Sequence, residues 1–399
     1  MDILLEWAGY LARWGHVMAG ITWIGTSFYF NWLDLSERPP LAPTLKPNVQ
    51  GEVHEMHGGS YYYHERYWPT EPSKRMLNHS GPAQLTFLTG VLLVVLIYWL
   101  GASVYLVNPS ANSLPLAVSI LISAAIMFVP YFVYDQICKN TLNNKVILIF
   151  AAILILVTGY IALSVFSARA GFLHVGAMLG TIMALNVHFV IVPNHIAMQG
   201  QVRNGQNVDI ECHKKAKRRS QHNNYFTLPV VFSMLSVHFP LASANRFAVL
   251  TLFLVMGAGF LLRYARNTEL VSDKQSLPAL VLAMAFLAAG IGLTYVPATG
   301  AVQDTSAFSN NQEKVAYETV QTRCAVCHAA VPKMEGFTAP PAGVLLETVD
   351  EMLVAKDRMF TQAIATDTMP PGNMTEMTEV ERAQLGEWLA AVGAKEVVK

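Results

Sequence analysis

Five consecutive residues near the C-terminus, Cys324-Ala325-Val326-Cys327-His328, have the types and spacing of a covalent haem site. In a C-x-x-C-H run the two thiols add across the haem vinyl groups, and the adjacent histidine reaches the iron as proximal ligand. Two intervening residues set both sulfurs along one porphyrin edge, so that the next residue can turn under the metal. A thioredoxin-like C-x-x-C would need a surrounding βαβ pattern, and the sequence has none. A zinc site would need a second Cys/His pair at metal-ligand spacing, and none follows. The chemistry indicated is electron transfer through one covalent haem c.

The elements that must position this haem are short and helical. A helical stretch, 313–323, leads into the motif, and further helical patterns lie near 345–365 and 378–393. Between the latter two runs Asp367-Thr368-Met369-Pro370-Pro371-Gly372-Asn373, which resembles the axial-methionine loop of small class I cytochromes c. Its prolines fix the backbone and present a thioether at little entropic cost. Met369 is therefore the expected distal ligand opposite His328, with Met374 and Met377 assigned to packing or surface.

Ahead of this unit the composition changes. Only 14% of the 399 residues are charged, the mean hydropathy is +0.35, and about 20 apolar residues suffice to cross a bilayer. The apolar runs predict eight spans, at 8–33, 84–107, 115–137, 146–167, 170–193, 225–244, 247–264 and 277–297. The first is not a cleavable signal, because it lacks a basic n-region and a small-residue cleavage site. The expected fold is all-α: a transmembrane bundle over 1–297, a linker at 298–311 and a cytochrome c domain over 312–399. Net charge is zero, so nothing points to nucleic acid. Cys138 and Cys212 read as free thiols.

Lysine and arginine concentrate after spans one, three, five and seven, including Arg66, Lys74, Lys139, the run Lys214 to Arg219, and Arg263 to Lys274. The loops after spans two, four and six hold only Arg169 and Arg246. By the positive-inside rule the basic loops are cytoplasmic. Both termini and the haem domain are then periplasmic, where bacteria attach haem c. Gly176 and Gly180, and Gly15 with Ala19, mark close helix contacts.

Three histidines lie along span five: His174, His188 and His195. Steps of 14 and 7 place them near one face, with His174 and His188 ~21 Å apart, a spacing suited to two stacked haems. His16 and His238 fall at the depth of His174, and His79 near that of His188. Three readings stay open: polar packing between helices, a membrane haem b or metal, or contact with substrate. Arg13 reads as snorkelling. Two polar stretches stand out on the basic side. Glu52 to His64 mixes His, Glu and Tyr around Gly58-Gly59, and suits either a bound metal or planar ligand, or simple solvation. Arg219-Ser220-Gln221-His222-Asn223-Asn224-Tyr225 packs donors, acceptors and a cation into a short space, suiting a planar anion or a helix cap.

The chain resembles the bacterial membrane-bound urate hydroxylases (cytochrome c-dependent urate oxidases) over nearly its whole length. The likeness lies in His16 with Ile21-Thr22-Trp23-Ile24-Gly25, His57-Gly58-Gly59, and Gly180-Thr181-Ile182-Met183 through Asn186. It continues in Arg219 to Tyr225 with Leu228-Pro229 and in the fused cytochrome c. The resemblance implies a multi-pass inner-membrane oxidoreductase of purine degradation that converts urate to 5-hydroxyisourate with water as oxygen source. Electrons pass to its own haem c and on to a periplasmic cytochrome or terminal oxidase. In this setting His222 or an intramembrane histidine is a candidate general base, with Arg219, Asn223 and Asn224 holding the purine. A cytoplasmic site would be separated from a periplasmic haem by a ~30 Å hydrocarbon core. Either urate binds near His16, His174 and His238, or a second haem relays the charge. The alternative is a quinol-to-cytochrome carrier without substrate chemistry of its own.

Overall fold

The computed structural model describes residues 2–40, 48–68, 79–107, 114–243, 245, 247–269, 273–295, 308–330, 332–334 and 340–395. Most of the expected linker at 298–311 lies outside them. The chain begins with α1 (Asp2–Ser36), followed by a hairpin of β1 (Val49–His57) and β2 (Ser60–Tyr67). The bundle continues with α2 (Gly81–Leu93), α3 (Leu116–Asn140), α4 (Asn144–Val165), α5 (Ala168–Asn186), α6 (Val192–Arg203) and α7 (Ile210–Leu235). It ends with the short α8 (Pro240–Ser243), α9 (Ala248–Glu269) and α10 (Asp273–Thr294). The C-terminal part contains α11 (Asn311–Arg323), α12 (Ala325–His328), α13 (Val349–Met359) and α14 (Glu379–Ala391).

Six helical segments are long and apolar enough to cross a membrane: 81–99, 116–140, 144–165, 168–203, 248–269 and 276–294. The stretches expected as the first and sixth spans are helical too, as α1 and α7, but are not among these six. In α7 the reason is visible in the sequence. A basic first half ending at Arg219 leaves about three apolar turns before Leu235. The helix is capped far upstream, where the Asp209 carboxylate accepts the Glu211 N–H, so Asn223 and Asn224 are mid-helix residues and not caps.

The polar stretch around Gly58-Gly59 is an ordered antiparallel hairpin, the exception to an otherwise helical chain. Both glycines take positive φ, 58° and 80°, as a two-residue type I′ turn requires and as side-chain-bearing residues resist. Span five is longer than expected and runs to Arg203 through a π turn at Val187–Ile191. Pro193 explains the turn, since it has no N–H to donate and its ring would collide with the carbonyl four residues back. His174 faces the core, whereas His188 and His195 are exposed on the outside.

Helix α5 is the spine. Its residues from Ala170 to Asn186 are almost all buried, and they pack against α3, α4 and α7 in one apolar core. Glycine makes one approach possible: a Cβ on Gly176 would sit 2.6 Å from Ser233 of α7, whereas Gly180 faces open space. A second core, with Val320, Met352, Leu385 and Trp388 at its centre, holds α11, α13 and α14 together. This unit touches the bundle where α5 begins. Arg358 donates to the carbonyls of Ser103 and Val107, and Gly343 approaches Ala168.

Candidate active site

The C-terminal ends of α3 and α5 meet the middle of α7 in a buried polar network. Arg219 donates to Asp135 Oδ1 at 2.5 Å and to Asn186 Oδ1 at 3.1 Å, and its guanidinium lies over the Tyr134 ring at 4.8 Å. Lys139 holds the other Asp135 oxygen at 2.6 Å. Asn186 Nδ2 donates to Asn223 Oδ1 at 2.9 Å and to Tyr134 Oη at 3.2 Å, while Asn223 Nδ2 donates to the Met183 carbonyl. Since Asn186 supplies a proton to the phenol oxygen, the Tyr134 hydroxyl is free to donate to His222 Nδ1, 2.7 Å away. That direction leaves the His222 proton on Nε2.

Three of the four residues expected at the substrate site, Arg219, His222 and Asn223, therefore converge, but not as an open anion site. The charge of Arg219 is balanced inside the protein, both ends of the Asn223 amide are engaged, and the basic nitrogen of His222 points at Tyr134. Asn224, 2% exposed, faces the other way and accepts from Arg263 and Asn267. Sequence reasoning missed Asp135 and Tyr134. Asp135 had a signal, being the one acidic residue in the span read at 115–137, and intramembrane ionisable residues are functional candidates. Tyr134 had none.

In the C-terminal unit, Cys324 N-caps α12 and Cys327 lies one turn on, both as free thiols. His328 Nδ1 donates to the Val344 carbonyl at 3.0 Å, which fixes the tautomer and leaves Nε2 with its lone pair for a metal. Burial lowers the His328 pKa, keeping the ring neutral. Burial, with Cys327 beside it, pushes the Cys324 thiol up to about 12. These residues fit a covalent haem: two unpaired thiols on one turn, followed by a pre-oriented imidazole. Met369 is half-buried, its backbone pinned between Gln362 and Arg382. Met377 belongs to the core and Met374 is exposed.

Residues 2–294 match the urate oxidase N-terminal family. The chain belongs to that family. Neither the curated proteins nor the solved structures contain a match to it. Family membership makes the protein a urate-related oxidoreductase, and its apolar helices are those of a multi-pass membrane protein.

Within this urate oxidase family chain the intramembrane histidines do not gather. His174 is fully buried and saturated: Nδ1 donates to the Ala170 carbonyl and Nε2 accepts from Ser123, which in turn accepts from Trp99. A haem iron at Nε2 would have to displace the Ser123 hydrogen bond. His16 joins α1 to α2 through Thr86 and Thr89, against Gly90, where a Cβ would lie 3.0 Å from the ring. His188 and His238 are exposed on the bundle exterior. Among the described residues no group of three or more His, Cys, Asp or Glu is arranged to hold a metal ion. On the hairpin, His64 and Tyr29 share the Glu55 carboxylate. Tyr63 donates to Glu52 at 2.6 Å, a bond that raises its phenol pKa.

Proposed function

We propose that the protein is a membrane-bound urate hydroxylase: urate and water give 5-hydroxyisourate, two protons and two electrons, the electrons leaving through haem c in its own C-terminal domain. The observation that carries this reading is the joining, in one chain, of the urate oxidase N-terminal family match to a C-x-x-C-H site whose histidine is already oriented by Val344. Cys324 and Cys327 would hold the haem and His328 and Met369 its iron. Bound there, haem c supplies one-electron acceptance. The bundle has eight spans, with α1 and α7 completing the six apolar ones, both termini are periplasmic, and a soluble cytochrome or terminal oxidase takes the electrons onward.

The polar network gives the reaction its proton path. The Tyr134 hydroxyl hands its proton to His222 Nδ1 and takes up the proton released by the substrate side, while Asn186 holds the phenol oxygen in place. Asn186 and His174 lie about 18 Å apart along α5, so the network and the docked haem unit occupy opposite ends of the bundle.

The test is an anaerobic titration of the purified, oxidised protein with urate while haem absorbance is followed. Two haems reduced per urate consumed is the expected result. No reduction by urate, with prompt reduction by a quinol, would replace hydroxylation with the carrier alternative.

A further inference from the structure

Beside the network, the last turns of α1 and α9 enclose a cavity of about 340 Å³ bounded by Phe28, Asn31, Trp32, Arg263 and Asn267, with Arg266 and Glu269 at its rim. Phe28 and Trp32 are four residues apart on one helix, as are Arg263 and Asn267 on the other, so each pair presents a single face. The volume lies at the small end of ligand pockets and suits one bicyclic ring.

Its polar groups are ordered and incomplete. Asn31 Nδ2 donates to Asn267 Oδ1 at 2.9 Å, and Asn267 Nδ2 donates to Asn224 Oδ1 at 3.0 Å. The same Asn224 oxygen accepts Arg263 Nε at 2.8 Å. Asn224 Nδ2, behind the residues that line the cavity, is then left buried without an acceptor, a costly condition. A flipped amide would not help, because its oxygen already receives two donors. Arg263 is held by its bond to Asn224, with its guanidinium 3.8 Å from the Phe28 ring centre. Among the described residues no carboxylate pairs with it. Arg219 by contrast is neutralised by Asp135, and Arg266 pairs with Glu269.

We propose that this cavity binds the substrate, a planar purine anion rich in carbonyl and N–H groups. Arg263 supplies the countercharge, Phe28 and Trp32 flank the ring, and the Asn31–Asn267–Asn224 chain sets its register. The proposal rests on the urate reading above and moves anion recognition from Arg219 to Arg263. Asn224 links the cavity to the buried network through α7, where it directly follows His222 and Asn223.

The experiment is equilibrium dialysis of labelled urate against the full-length holoprotein in detergent, with haem held reduced so that no turnover occurs. Arg263→Ala should weaken urate binding about tenfold or more, the loss expected for a charge-assisted contact, and Trp32→Ala several-fold, with helicity and haem content unchanged. Should Arg263→Ala fail to fold, the wild-type protein answers the same question: urate should protect Arg263 from phenylglyoxal, mapped by mass spectrometry. Wild-type protein that binds urate, while the variants stay within about twofold or Arg263 remains unprotected, overturns the site and leaves the urate reading intact. Wild-type protein that binds no urate overturns both.

Discussion

Arg219 on α7 and Asp135 on α3 meet at 2.5 Å, with 6% and 12% of their side chains exposed. Lys139 and Asn186 complete their shells. Such a pair ties two helices at a fixed register, and removing one member strands the other charge. Asp135→Asn should destabilise the bundle by about 3–5 kcal/mol, whereas a joint Asp135→Leu and Arg219→Met exchange should cost far less. Thermal unfolding in detergent reads the difference. Equal costs for single and double variants would show that the pair is not energetically coupled.

Tyr134→Phe keeps the ring under Arg219 but removes the hydroxyl between Asn186 and His222. If this hydroxyl passes the proton, urate turnover should fall by about 10²-fold, the low end of general acid–base contributions, with little change in KM and an altered pH profile. Unchanged kcat and pH profile would remove the phenol from the proton path.

The C-terminal methionines should separate cleanly. Met369→Ala should abolish the charge-transfer band of thioether-ligated haem. Met377, 3% exposed within the core, should cost about 2–5 kcal/mol on truncation to alanine and leave that band in place. The reverse pattern would reassign the distal ligand.

Arg358 is buried at the contact between the C-terminal unit and the bundle, donating to the Ser103 and Val107 carbonyls. Its loss of solvent lowers its pKa to about 10, which leaves it charged at neutral pH. Arg358→Ala should loosen docking, slow electron arrival at the haem and raise hydrogen exchange at the Ser103 to Val107 contact. Wild-type rates and exchange would mean that docking does not depend on this contact.

Glu381 closes a capping box with Thr378 and pairs with Arg323. Hydrogen bonds from Thr378, with Arg323 beside it, hold its carboxyl below the usual range. Stability from this group is therefore present above the unfolded-state pKa and is lost as pH falls through the lower folded value. Haem-unit stability should decline on that acid limb, and Glu381→Gln should flatten the decline while weakening the unit at neutral pH. An unaltered acid limb would place the titrating group elsewhere.

The residue order alone carried the proposed haem motif, because a C-x-x-C-H site is local: five consecutive residues would hold both attachment points and the proximal ligand. Apolar run length likewise revealed the helices, since burying a backbone in lipid demands uninterrupted hydrogen bonding. The family pattern singled out Arg219 to Tyr225. Which of those residues face one another was decided only by packing. Asp135 lies 84 residues from Arg219, so the pairing of Arg219 with a buried carboxylate is invisible along the chain. The π turn before Pro193 likewise sends His188 outward where an ideal helical period aligned it with His174. The cavity at Arg263 needed two helix ends, from α1 and α9, brought together by the Asn31–Asn267 bond across 236 positions. Chemistry is legible along the chain where ligands are neighbours; a pocket built from two helix ends exists only after they pack.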